Sequence, residues 1–234
     1  MRKTLILTIL FVSLCLVSCK TIESASGDKV KLFQGTIVYD VEVLQTLDTA
    51  VQKSKKELYG TEMYLTVFKN GDIQRKYNGA SPKGYDLYYI DIANNEVLEK
   101  YNNSDSLYVH SAGTQDIIKL NDLRGTKDDL AVLNYDLINL SIGAQELDPN
   151  ARDRKYLTIK YWYADDIKID KTKYTSVNDE LWNYFLNKSD GSLFLRYEID
   201  YFTYKVIYTA KNIQPNKFEK SKQKLGEEIP RVEK

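Results

Sequence analysis

Hydrophobic and polar positions alternate in steps of two from Phe33 to Leu44. Phe33, Gly35, Ile37, Tyr39, Val41 and Val43 fall on one face, with Gln34, Thr36, Asp40 and Glu42 on the other. A period of two is that of a half-buried β-strand. The spacing then turns helical at Leu47, Val51, Ser54 and Leu58. Thr46 or Asp48 can serve as N-cap and Gly60 as the stop, so a helix is expected over 47–59. A run of hairpins follows. Glu62–Lys69 and Asp72–Asn78 flank Asn70-Gly71, a strong short hairpin signal. Tyr85–Ala93 and Glu96–Tyr101 flank Asn94-Asn95, and Ser106–Ser111 adds a short strand. Consecutive strands of such a meander pair antiparallel.

Residues 112–145 carry a weaker pattern. Asp116–Leu120 and Asp129–Leu140 hold apolar residues without clean periodicity, which predicts one or two strands and a long loop around Gly125. Alternation resumes over 155–170, where Leu157, Ile159, Tyr161 and Tyr163 interleave with Thr158, Lys160 and Trp162. Ser176 or Asn178 then starts a short helix with the apolar stripe Leu181, Trp182, Phe185 and Leu186. Asp190-Gly191 turns the chain into two last strands. Leu193, Leu195, Tyr197 and Ile199 define one face of the first; Tyr204, Val206, Tyr208 and Ala210 define one face of the second. A helix with an apolar stripe must bury it, and one face of the sheet is the available partner. A strongly twisted sheet of about ten strands curls. The expected fold is therefore mainly β (α+β): one large curved antiparallel sheet, a half-barrel, with two short helices covering the concave face.

The first residues break the pattern. Met1-Arg2-Lys3 precede an apolar run from Leu5 to Val17 that is too short to span a bilayer, which takes about 20 residues. Leu16-Val17-Ser18-Cys19 follows, and the whole segment resembles a bacterial lipoprotein signal peptide. The resemblance implies removal of residues 1–18 and lipidation of Cys19. Residues 19–32 are small and polar, a flexible tether whose twelve residues from Lys20 reach roughly 20 Å. A single domain is expected over 33–213. The Lys- and Glu-rich tail 214–234 has few apolar residues, so it is expected to fray. Lys20 after the Cys favours the outer membrane of a Gram-negative envelope, on either its periplasmic or its surface side.

Charge and cysteine content narrow the picture. Without residues 1–18 the chain holds 31 basic against 33 acidic residues, which gives no basic surface for nucleic acid. Cys15 leaves with the signal segment, so Cys19 is the remaining cysteine and no intramolecular disulfide can form. The 19 tyrosines favour strands.

Gly35-Thr36-Ile37-Val38-Tyr39-Asp40-Val41, the helix, the Asn-Gly hairpin and Trp162-Tyr163-Ala164-Asp165-Asp166-Ile167 together resemble envelope proteins with a LolA/LppX-type half-barrel. They resemble in particular the uncharacterised DUF4412-like and GLPGLI-like lipoproteins. The resemblance covers residues 33–213. It implies a cavity for a lipid or acylated peptide and brings no catalytic residue with it.

Candidate chemistry is sparse. His110 is the only histidine, so a hydrolase triad or a classical zinc site lacks partners of the usual types. Asp165, Asp166 and Asp170 are acidic, but Lys168 and Lys171 interrupt them and the spacing of a calcium loop is absent. Ser192 lacks a nucleophile-elbow context. No catalytic residue, metal or cofactor is expected. The aromatics offer more: tyrosine and tryptophan combine apolar bulk with a polar tip, which suits an amphipathic ligand. Tyr39, Tyr161, Trp162, Tyr163, Trp182, Phe185 and Tyr197 are the candidate ligand-binding residues, with ordinary sheet core as the competing explanation. Two functions fit: a non-enzymatic, membrane-tethered binder or carrier of a lipid or other apolar ligand, or a module that docks an envelope protein partner.

Overall fold

The computed structural model describes residues 31–45, 49–113, 136–143, 156–201, 204–216 and 229–233. Cys19, most of the tether, and the strand and loop expected at Asp116–Leu120 and Gly125 lie outside them. The chain runs β1 (Gly35–Gln45), α1 (Thr49–Tyr59), β2 (Glu62–Val67), β3 (Ile73–Tyr77), β4 (Tyr85–Asp91), β5 (Glu96–Tyr101) and β6 (Leu107–Ser111). It continues with β7 (Asp136–Gly143), β8 (Tyr156–Lys168), 3₁₀ turns at Lys171–Tyr174 and Asp179–Leu181, α2 (Trp182–Lys188), β9 (Ser192–Asp200), β10 (Tyr204–Pro215) and β11 (Arg231–Glu233).

All the strands join one sheet in the order β11-β6-β5-β4-β3-β2-β1-β10-β9-β8-β7. Two antiparallel meanders, β1 to β6 and β7 to β10, are zipped together by β1 and β10, which pair from Gly35↔Pro215 to Gln45↔Tyr204 with one bulge at Val38/Tyr39. The mainly β fold with one large sheet and two short helices is the one the alternation predicts. The tail behaves differently at its end: Arg231–Glu233 add a parallel strand to the β6 edge. Pairing with a strand so distant in sequence leaves no local period to read.

Register sets the faces. Tyr39 lies opposite Met63, and Met63 opposite Tyr77. Tyr208 lies opposite Val41 and Tyr197, and Tyr197 opposite Tyr161. These residues share the inner face, and the main core forms between it and the 169–186 segment, through Ile169, Tyr174, Leu181, Trp182, Phe185 and Leu186. A smaller cluster of Phe68, Tyr89, Leu98 and Leu107 packs separately, with Ile229 against it.

The helices are placed by local chemistry. α1 interrupts the β1–β2 connection and stops at Gly60, whose φ is +68° and whose N–H donates to the Lys56 carbonyl at 3.0 Å. A glycine in the left-handed region just past the last turn is a common helix stop. Tyr59 pins α1 to the sheet through a 3.0 Å hydroxyl contact with Tyr204. α2 buries Trp182, Phe185 and Leu186, the stripe expected from the sequence.

A cavity and a carboxylate cluster beneath the covering segment

A cavity of about 180 Å³ opens between the inner face and the covering segment. Strands supply Met63, Arg75, Tyr77, Ile159, Phe194, Ile199 and Tyr208 to its wall; the 3₁₀ turn and its approach supply Asn178, Glu180 and Leu181. Most of this wall is aromatic or aliphatic, as in small-molecule sites generally.

One partly buried ion pair stands in that wall. Arg75 on β3 donates through Nη1 to Glu180 Oε2, and Tyr85 donates its hydroxyl to Glu180 Oε1. The Arg75 and Glu180 side chains are only 12% and 14% exposed. Burial alone would lower the Arg75 pKa, but the Glu180 carboxylate raises it and keeps the guanidinium charged. Three rings surround that guanidinium: its carbon lies 4.6 Å from the ring centroid of Trp182, 5.4 Å from Tyr88 and 5.9 Å from Phe194. Such cation–π packing holds a charge where water is excluded.

The turn that brings Glu180 into place is strained. Glu180 and Leu181 have φ of +49° and +62°, a left-handed pair with no glycine. Non-glycine residues held there cost on the order of 1–3 kcal/mol each, and such strain collects at functional segments. The contacts made by Asp179 and Glu180 offset that cost.

Beside the cavity, Asp179 gathers a second polar group. Its Oδ2 accepts from the Tyr88 hydroxyl at 2.7 Å, and its Oδ1 lies 3.4 Å from Lys83 Nζ and 3.9 Å from His110 Nε2. Burial pushes the Asp179 pKa up, but His110, Lys83 and Tyr88 outweigh it and bring the carboxyl to about 2. Glu99, His110 and Asp179 each place one ligand-type atom within 4.8 Å of the others, at the wall of a wider cleft. The Lys83 ammonium, at hydrogen-bond distance from Asp179, already supplies positive charge there. Sequence reasoning misses this cluster because β5, β6 and the 3₁₀ turn supply one member each, with no motif spacing.

The sequence-predicted aromatics divide. Tyr197 lines the cavity. Tyr161 and Phe185 stack next to it, centroids 4.6 Å apart and planes 7° apart. Tyr39 packs on Phe194 and donates its buried hydroxyl to the Phe194 carbonyl at 2.7 Å. Trp182 covers Arg75, and Tyr163 sits against Tyr161 with centroids 6.2 Å apart. Trp162 lies opposite Arg196, on the other face from Tyr161, with its ring 5.5 Å from the Arg196 guanidinium and 5.9 Å from Lys160 Nζ. Cavity residues that the sequence does not single out include Arg75, Tyr77, Glu180 and Tyr208. The alternation of Tyr204, Val206 and Tyr208 was the available signal for the last of these.

Among solved structures, the chain is similar to the lipoprotein LppX of Mycobacterium tuberculosis: 14% identity, 77% of this chain and 87% of that one covered, TM-score 0.29. It is also similar to LprF of Mycobacterium bovis: 12% identity, 79% and 88% covered, TM-score 0.29. No family model matches the chain, and no curated protein matches it either.

Proposed function

We propose that this protein is a membrane-tethered, non-enzymatic envelope lipoprotein that binds a lipid or other apolar ligand between its sheet and its covering segment. The cavity wall carries this reading, because Met63, Ile159, Leu181, Phe194 and Ile199 present apolar surface around a partly open space. About 25 cal/mol per Å² of apolar area leaving water is the driving force for filling it. The polar groups in the wall are suited to holding rather than reacting. Burial raises the pKa of Tyr197 and Tyr208, which keeps both phenols protonated, and the Glu180 carboxylate is occupied by Arg75 and Tyr85. At about 180 Å³ the cavity suits one slender chain or ring, since a 150 Å³ apolar cavity accommodates benzene. Lipidated Cys19 would hold this domain at the membrane.

Native mass spectrometry of protein extracted in mild detergent tests the reading. A bound species of discrete mass is expected, and Ile199→Trp, which fills the cavity from β9, should remove it. If repeated preparations carry no bound mass and a fluorescent apolar dye fails to bind, the cavity is ordinary core. A stoichiometric protein partner recovered instead by crosslinking in intact cells would favour a docking module.

A further inference from the structure

We propose that Glu99, His110 and Asp179 form a site for one divalent transition-metal ion that clamps the covering segment to the sheet, whatever the cavity holds. One ligand-type atom from each of the three lies within 4.8 Å of the others. They arrive from three places: Glu99 on β5, His110 on β6, and Asp179 at the start of the 3₁₀ turn Asp179–Leu181. Glu99 and Asp179 are only 1% and 2% exposed, yet all three residues stand in the wall of a cleft open to solvent. That cleft is the entry path a metal site needs. Tyrosine hydroxyls orient both acids: Tyr88 donates to Asp179 Oδ2 at 2.7 Å, and Tyr101 donates to Glu99 Oε2 at 3.0 Å. Outer partners of this kind fix the ligands of metal sites. The imidazole is engaged more weakly. His110 Nε2 is 3.9 Å from Asp179 Oδ1, beyond ordinary hydrogen-bond distance, and Nδ1 makes no hydrogen bond among the described residues.

The donor set selects the ion. Calcium takes six to eight oxygen ligands, which a trio containing an imidazole does not supply. An imidazole beside carboxylates suits zinc and its first-row neighbours. Zinc holds such ligands at about 2.0–2.2 Å, which puts them roughly 3.4 Å apart in a tetrahedron. Closing the trio from 4.8 Å therefore asks for side-chain movements of about 1 Å, with a fourth position left to water. The competitor is Lys83. Its Nζ lies 3.4 Å from Asp179 Oδ1, so an ammonium offsets part of the acids' charge. That side chain is 38% exposed and can turn into solvent, and an ion in its place brings twice the charge at a shorter distance. Once bound, the ion joins Asp179 to β5 and β6. Asp179 precedes Glu180 and Leu181, which line the cavity, so the clamp holds the segment that covers it.

The test titrates zinc into the full chain, stripped by chelator and free of any affinity tag, so that His110 is the only imidazole present. Calorimetry should show a zinc site that depends on the trio. The thermal midpoint should rise by roughly 5–10 °C at a hundredfold excess of zinc over Kd. Calcium should bind at least tenfold more weakly. Glu99→Gln and His110→Ala each remove a ligand, so each should cost at least the roughly tenfold that loss of an outer partner costs, and should erase the midpoint shift. Lys83→Met removes the competing ammonium: it should lower the midpoint without zinc and tighten zinc binding. An ion-pair cluster with no metal role behaves otherwise, with Lys83→Met destabilising and zinc giving no rescue. Absence of saturable uptake overturns the site. Uptake unchanged in Glu99→Gln and His110→Ala overturns it too, because the ion then sits at the cysteines or elsewhere. Calcium binding as tightly as zinc overturns the class of ion. Should Lys83→Met fail to fold, Glu99→Gln and His110→Ala decide.

Discussion

At the scale of single residues, Asp179 couples the covering segment to pH. Its carboxyl is nearly buried, yet its pKa falls to about 2 from the usual 3.8 because His110, Lys83 and Tyr88 favour the charged form. The folded state therefore binds a proton less readily than the unfolded chain. The stabilisation is complete above about pH 4 and is lost as the pH falls from there to about 2. Its size is on the order of 2 kcal/mol. Urea midpoints of the parent and Asp179→Asn, measured at pH 6, 4 and 2.5, should converge as acid removes the charge that the variant never had. A gap that stays constant across this range would show that the carboxylate charge does nothing for stability. None of this is legible in the sequence, since Lys83, Tyr88 and His110 arrive from three separate places. The aromatic candidates are legible to a different degree. Strict alternation that turns Tyr161 inward turns Trp162 outward, and the sequence pattern already contained that distinction between two adjacent rings.

At the scale of elements, local chemistry was readable and distant pairing was not. The end of α1, the Asn70-Gly71 hairpin and the stripe of α2 follow from residues within one or two turns of each other. β7 is readable in part, since a strand is expected within Asp129–Leu140 and β7 runs over Asp136–Gly143, whereas β11 owes its existence to the β6 edge. Gly60 shows how tightly a locally readable element can be fixed. A Cβ there would meet Asn78 Oδ1 at 2.3 Å and the Gly79 amide nitrogen at 2.8 Å, on top of the cost of φ +68°. Asn78 cannot retreat freely, because the same Oδ1 accepts from the Thr61 and Glu62 amides at 2.8 and 2.9 Å. Gly60→Ala should therefore destabilise by about 1–3 kcal/mol through strain and lost capping bonds. Gly84→Ala is the control: φ is +95°, but the nearest atom to a new Cβ is Tyr101 Cε1 at 3.8 Å. Thermal or urea midpoints should fall clearly further for Gly60→Ala, and equal losses would show that φ alone, not the Asn78 contact, sets the cost.

At the scale of the whole molecule, the two proposed functions, ligand binding and membrane anchoring, fall on separate parts of the chain. The cavity is built from β2, β3, β8, β9, β10 and the 178–181 segment, and β1 begins at Gly35, well past Cys19. The proposed binding would therefore draw on described residues of the sheet and the 178–181 segment, and the proposed anchoring on Cys19. One acyl chain gives only marginal membrane attachment, whereas two make it stable, so a Cys19 carrying two or more chains, as the lipoprotein resemblance implies, would hold the domain down by itself. Cys19→Ser should release the protein from the membrane fraction, or leave it as an unprocessed precursor, and abolish palmitate labelling. The released domain should still displace the apolar dye with the affinity of the parent, because every residue of the cavity wall is retained. Unchanged fractionation and labelling in this variant would remove the lipoprotein assignment without touching the cavity. Release accompanied by loss of dye binding would show instead that the membrane or the tether completes the binding site.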